Sequence, residues 1–210
     1  MAAGGERRPL ASRQTRWAAG LLRTLLSTPI TANGLSLIGI LFAILAGIAL
    51  YAAPDHPWLY VAAAAGVQLR LICNLMDGLV AVEGGRGSAV GALYNEAPDR
   101  LEDTAILVGF GYAAGWPELG YVAAILAVFT AYIRMLGGSL GLPQDFGGPM
   151  AKPQRMAAVT LGCIIAALEA WIFGTGHALR LILAIVVLGT AWTGLRRLKG
   201  LGTLLRNRAP

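Results

Sequence analysis

The chain of 210 residues is 56% hydrophobic and only 13% charged, with 28 glycines. So few polar side chains cannot coat an ordinary soluble globule of this size, which points to an integral membrane protein. The formal charge of +6 does not mark a nucleic-acid binder. The basic residues gather at the termini and at alternate loops beside apolar runs, where anionic lipid headgroups are their natural partners.

Residues 1–31 form a basic N-terminal segment. It has arginines but no short apolar core followed by a small-residue cleavage site, so no cleaved leader is expected. Within it, residues 10–28 place Leu21, Leu22, Leu25 and Leu26 on one helical side and Arg13, Arg16 and Arg23 on the other. That is the pattern of an amphipathic helix lying in the headgroup layer, with a merely basic tail as the alternative.

Six apolar windows follow at 32–53, 58–82, 91–115, 118–138, 156–174 and 178–196, each near the roughly 20 residues that cross a bilayer. Turn chemistry separates them: "APDHP", "EGGRGS", "GWPE", a long glycine- and proline-rich stretch over 137–153, and "GTGH". The predicted fold is therefore all-α, with six transmembrane helices over 32–197, an interfacial helix before them and a basic tail over 198–210. The short connections make sequential neighbours antiparallel.

Lysine and arginine sort to one side. Arg7, Arg8, Arg13, Arg16 and Arg23 precede the first span, Arg86 lies in the 83–90 loop, Lys152 and Arg155 lie in the 138–155 loop, and Arg196, Arg197 and Lys199 begin the tail. Of the remainder, only Arg180 falls near the opposite side. By the positive-inside rule, both termini and these two loops are cytoplasmic. Cys73 and Cys163 both fall in apolar runs, with no disulfide or metal-thiolate spacing.

Six of the eleven acidic residues lie between Asn74 and Asp103, across the second and third spans. At about 100° per residue, Asn74, Asp77, Gly78 and Ala81 share one face of the second span. Gly91, Asn95, Asp99 and Asp103 form an i, i+4 row on the third, with Glu102 beside Asp99. Charges inside a span cost several kcal/mol unless paired or solvated, so two such faces imply a polar cavity. An ion-paired junction, with Arg70, Arg86 and Arg100 neutralising the acids, is the alternative. The oxygen-only donor set suits a hard divalent cation such as Mg²⁺, and the glycines Gly78 and Gly91 would allow close approach by a helix or a ligand.

These residues carry a resemblance. Asn74, Asp77, Gly78, Ala81, Val82, Gly91, Asn95 and Asp99 fall at the spacing of the signature D-x2-D-G-x2-A-R-x8-G-x3-D-x3-D of the CDP-alcohol phosphotransferases, membrane enzymes that make phospholipids. The chain departs from that pattern with Asn74 and Asn95 at the first and third aspartate positions and Val82 at the arginine. The resemblance implies that Asn74, Asp77, Asn95 and Asp99 ligate Mg²⁺ or Mn²⁺, two ions in the family. Each amide removes one negative charge, so either Glu83, Glu96 or Asp103 supplies it, or a single ion is held, or the site is weak. It further implies that Gly78, Ala81, Gly91 and a substituting Arg86 meet the CDP moiety, and that Asp99 deprotonates an acceptor alcohol.

The expected activity is transfer of a phosphatidyl group from a CDP-linked lipid such as CDP-diacylglycerol to an alcohol, with release of CMP, in a homodimer of the cytoplasmic membrane. Arg134, Lys152 and Arg155 gather where a phosphorylated alcohol would bind, although topology alone also explains them. Two other readings are a catalytically silent scaffold of the same fold and a cation transporter. The transporter is disfavoured because its acids belong near the bilayer midplane.

Overall fold

The computed structural model describes residues 15–208. Among these it contains seven helices and no strand: α1 (Arg16–Leu26), α2 (Ala32–Ala52), α3 (Trp58–Val82), α4 (Gly91–Ala113), α5 (Pro117–Ser139), α6 (Lys152–Phe173) and α7 (Ala178–Arg206). Their ends follow local chemistry. The Thr31 hydroxyl accepts from the Gly34 amide at 3.0 Å and caps α2. Pro117 opens α5, where its missing N–H is not needed. Gly174 closes α6 at φ 63°, a left-handed conformation that suits a residue without Cβ.

Six helices close into a ring. In spatial order α2 packs on α3, α3 on α6, α6 on α7, α7 on α5, α5 on α4, and α4 again on α2. The inner faces meet in an apolar core that includes Val67, Ile106, Leu107, Phe110, Val159 and Leu183. Close approach depends on glycine. A Cβ at Gly109 would sit 2.5 Å from the Gly47 carbonyl oxygen, and one at Gly111 would sit 2.5 Å from the Gly120 Cα. Helix α4 is therefore pressed backbone to backbone against α2 on one side and α5 on the other.

The predicted windows coincide with α2 to α7 to within a few residues, with two instructive differences. Helix α6 starts at Lys152 rather than 156, because Pro153 in its first turn is a helix opener. Helix α7 continues without a break past 197 to Arg206, through what the sequence suggested as the tail. Five helices are long and apolar enough to cross a membrane, namely all but α1 and α4. Helix α4 has the length, but Glu96, Asp99, Arg100, Glu102 and Asp103 lower its apolar character. Leu41, Ile48, Val61, Ile125, Leu161 and Leu188 are exposed on the outside of the ring, the composition of a lipid-facing surface.

Of the expected interfacial helix, residues 10–14 lie outside the described residues, as do Arg7 and Arg8. The remainder forms α1, with Arg16 and Arg23 exposed. Its Ala18 and Leu22 are buried with Leu35 of α2 and Leu75 and Leu79 of α3, so much of its leucine face rests on protein.

The glycine contact gives a direct expectation. Gly109→Ala forces α2 and α4 apart and costs about 1–3 kcal/mol, read as a lower midpoint of thermal unfolding in detergent. An unchanged midpoint would show that this pair of helices separates freely.

Candidate active site

The ring carries its charge toward one end, where the C-terminal half of α3, the N-terminal half of α4 and the starts of α2 and α6 meet. The centre is Arg70, fully buried on α3 one turn before Asn74. Its Nε donates to Glu102 Oε2 at 2.5 Å and its Nη2 to Asp103 Oδ1. The other Asp103 oxygen accepts from Arg155 Nη2 at 2.6 Å, so one carboxylate joins α3 to α6 through α4. Burying these charges is tolerable only because each meets an opposite one with hydrogen bonds.

Asp99 lies one turn toward the open end. Its Oδ1 accepts from Asn74 Nδ2 at 2.6 Å and from Lys152 Nζ, and Arg70 Nη2 stands 3.8 Å away. Its Oδ2 has Arg100 Nη2 at 3.5 Å, which makes it the less engaged oxygen. The Asn74 amide also donates to Glu102 Oε2 at 2.9 Å. Farther out, Glu96 Oε2 accepts from Arg134 at 2.5 Å and from Arg100 at 3.1 Å. Arg134 is fixed from two more directions, by Gln144 Oε1 at 2.9 Å and by the Phe146 ring, whose centroid is 5.0 Å from Cζ.

Asp77 sits apart from these pairs, 5% exposed. Its Oδ2 accepts from the Ser36 hydroxyl of α2 at 2.8 Å. Its Oδ1 is buried without a hydrogen-bond partner, as is Glu102 Oε1. A buried acceptor left open in this way carries a desolvation cost that an added ligand can relieve. Glu102 Oε1 faces Gly39, where a Cβ would come within 2.7 Å of it and within 3.2 Å of Asn74 Oδ1.

The predicted residues are distributed as follows. Asn74 and Asp99 are brought into direct contact, and Asp77 lies one turn along α3, while Asn95 on α4 is exposed. Gly78, Ala81 and Gly91 are half-buried. At Gly91 only Ser88 Oγ, 3.6 Å from an added Cβ, comes near, so protein does not fill that space. Arg86 is spent elsewhere: it donates to the carbonyls of Leu26 at 2.8 Å, Thr28 at 2.8 Å and Ile30 at 3.1 Å, tying the 83–90 loop to the end of α1. Arg134, Lys152 and Arg155 each already hold a carboxylate, Glu96, Asp99 and Asp103 in turn, spread over two turns of α4.

Glu102 and Asp103 lie at the middle of α4, and Arg70 at the middle of α3, so the cluster reaches inward from the helix ends. Ser36 and Gly39 were missed by sequence reasoning. Their signal was present as a polar and a small residue three apart on an otherwise apolar span.

No family model matches the chain. It is 27% identical over 173 residues to the inner membrane protein YnbA of Escherichia coli (strain K12), across 80% of this chain and 82% of that one. It is 28% identical over 141 residues to a phosphatidylinositol phosphate synthase of Mycolicibacterium smegmatis, spanning 63% of this chain and 61% of the enzyme. Among solved structures it superposes on the phosphatidylinositol phosphate synthase of Mycobacterium tuberculosis with CDP-DAG bound, at a TM-score of 0.74 and 20% identity over 89% of this chain and 94% of that one. The same enzyme in complex with manganese and citrate gives 0.73, at 21% identity and 88% coverage of both. The fold is shared.

Arg155→Met strands one oxygen of Asp103 in the interior, and breaking a buried pair from one side costs roughly 3–5 kcal/mol. Thermal unfolding in detergent should show that loss, and because Asp103→Asn also weakens the contact with Arg70, the double variant should lose less than the sum of the two single variants. If the losses simply add, the two side chains do not act as a pair.

Proposed function

We propose that the chain transfers a phosphatidyl group from a CDP-linked lipid such as CDP-diacylglycerol to an alcohol, releasing CMP, in phospholipid synthesis. One observation carries this reading. Signature positions Asn74 and Asp99 touch across α3 and α4, in the charged part of a ring with the fold of an enzyme solved with CDP-DAG bound.

Among the described residues no three of His, Cys, Asp and Glu are arranged to hold a metal ion. The residues present nonetheless fit a divalent cation, because Asp77 Oδ1 is a buried carboxylate oxygen without a partner and the donors around it are hard oxygens. Asp77 and Asp99 would hold it, with Asn74 and Asn95 at the other two signature positions. A bound Mg²⁺ or Mn²⁺ would neutralise the donor's diphosphate and stabilise the charge developing on CMP. A manganese complex of the mycobacterial enzyme supports that cofactor.

The chain's own residues supply the rest. Asp99, 17% exposed, takes the proton of the acceptor hydroxyl on Oδ2, while Asn74 and Lys152 hold Oδ1 and fix the carboxylate's direction. The deprotonated oxygen attacks the phosphorus bonded to the lipid glycerol, and the bond from that phosphorus to the CMP oxygen breaks. Arg134 and Arg155 would exchange part of their carboxylate contacts for the phosphate of a phosphorylated alcohol, the acceptor class suggested by the synthase relatives, and Lys152 would add a contact to it while keeping Asp99. Gly78, Ala81 and the unfilled space at Gly91 would face the CDP moiety. Arg86 would act indirectly, by holding the glycine-rich loop against α1.

In this reading α2 to α7 all span the cytoplasmic membrane, α4 shielded by its neighbours. The site and both termini face the cytoplasm, α1 lies along the headgroup layer, and two copies form a homodimer. A silent scaffold of the same fold is the second reading, favoured by the cations already seated on Asp99. The purified protein given labelled CDP-diacylglycerol, Mg²⁺ or Mn²⁺ and a panel of free and phosphorylated alcohols should release CMP. Asp99→Ala should lower the rate by about 100-fold or more with the fold intact. No release with any acceptor would leave the scaffold.

A further inference from the structure

Glu96, Asp99, Glu102 and Asp103 pair with Arg70, Arg100, Arg134, Lys152 and Arg155, and Asp77, held by Ser36, brings the carboxylates beside these five cations to five. With every group ionised, their formal charges cancel. Aspartate at both asparagine positions would give the cluster two further negative charges. Asn74 is also turned as a donor, its single NH₂ bridging Asp99 at 2.6 Å and Glu102 at 2.9 Å, the position from which a cation would otherwise bridge two carboxylates. Arg70 approaches both acids from the inner side. The carboxylate that none of these cations reaches is Asp77, whose Oδ1 is buried and open.

We infer that this chain takes one divalent ion, not a pair, with the Arg70 guanidinium and the Asn74 amide standing permanently in the electrostatic place of the second. The inference rests on the phosphatidyl-transfer reading above. Charge balance supports it. The diphosphate of a CDP-linked lipid brings two negative charges, one divalent ion cancels them, and the neutral cluster needs nothing more. A second ion would leave net positive charge beside the buried Arg70 and Arg155. A four-aspartate site holding the same diphosphate needs both ions. The two asparagines and the cation count are thus one adjustment.

The test counts bound Mn²⁺ by electron paramagnetic resonance on the full chain in detergent, saturated with CDP-diacylglycerol. The wild type should bind one ion per chain, and Asn74→Asp with Asn95→Asp should bind two. Without Mn²⁺ the double variant should unfold at lower temperature than the wild type, because the carboxylate introduced by Asn74→Asp would face Asp99 and Glu102 without a donor, and Mn²⁺ should restore it. Two ions on the wild type overturn the inference and leave the transfer reaction standing. No ion on the wild type, with CMP release surviving chelator, also overturns it. No ion together with no CMP release from any acceptor overturns the reading beneath it. A folded double variant that still binds one ion also overturns it, because the Asn74 amide is then not what excludes the second ion. The wild-type count decides even if the variant misfolds.

Discussion

Arg70 has no exposure to solvent, and a guanidinium cannot be neutralised by losing its proton at any ordinary pH. A helix carrying it into an apolar interior must find anions there. Glu102 and Asp103 are those anions, and they share a face of α4 because adjacent residues there flank one direction. The pairing fixes the rotation of α4 against α3, and with it the direction of Asp99, one turn away. Asp103 extends the constraint to α6 through Arg155. Three helices are registered by one buried charge.

The same constraint explains why α4 looks unlike its neighbours. Its charged residues are matched from α3, α5 and α6, while its glycines allow α2 and α5 to cover its flanks. A helix so enclosed needs little apolar surface of its own, and composition then stops being a guide to whether it spans.

Much of this was legible in the sequence. Periodicity located the helices, because lipid-facing residues must be apolar and turns need glycine, proline or polar residues. Spacing placed Asn74 and Asp77 on one face and Asn95, Asp99 and Asp103 in a row. What periodicity cannot supply is a partner from another element. The pairs Lys152 with Asp99, Arg155 with Asp103 and Ser36 with Asp77 are 53, 52 and 41 residues apart in the chain, and only tertiary packing brings them together. Arg86 shows the converse problem. An arginine in a glycine-rich loop looks the same whether its donors await a phosphate or, as here, three backbone carbonyls.

The two ends of the ring use charge differently. At the end opposite the cluster, Arg180 donates to the carbonyl of Ala114 at 3.2 Å, at the C-terminus of α4, and lies over Trp116. Glu169 accepts from the amides of His177 and Ala178, at 2.8 and 2.9 Å, at the start of α7. Each therefore completes a helix terminus whose partial charge is opposite to its own. Arg180 is the arginine that departs from the basic-side pattern of the sequence, and it serves as a cap. In the cluster, side chains balance side chains, and such pairs can exchange an internal partner for a charged ligand. A helix cap has no comparable freedom, because releasing it leaves backbone groups unsatisfied. The proposed exchange of internal partners for a ligand is therefore open to the cluster and closed to the caps.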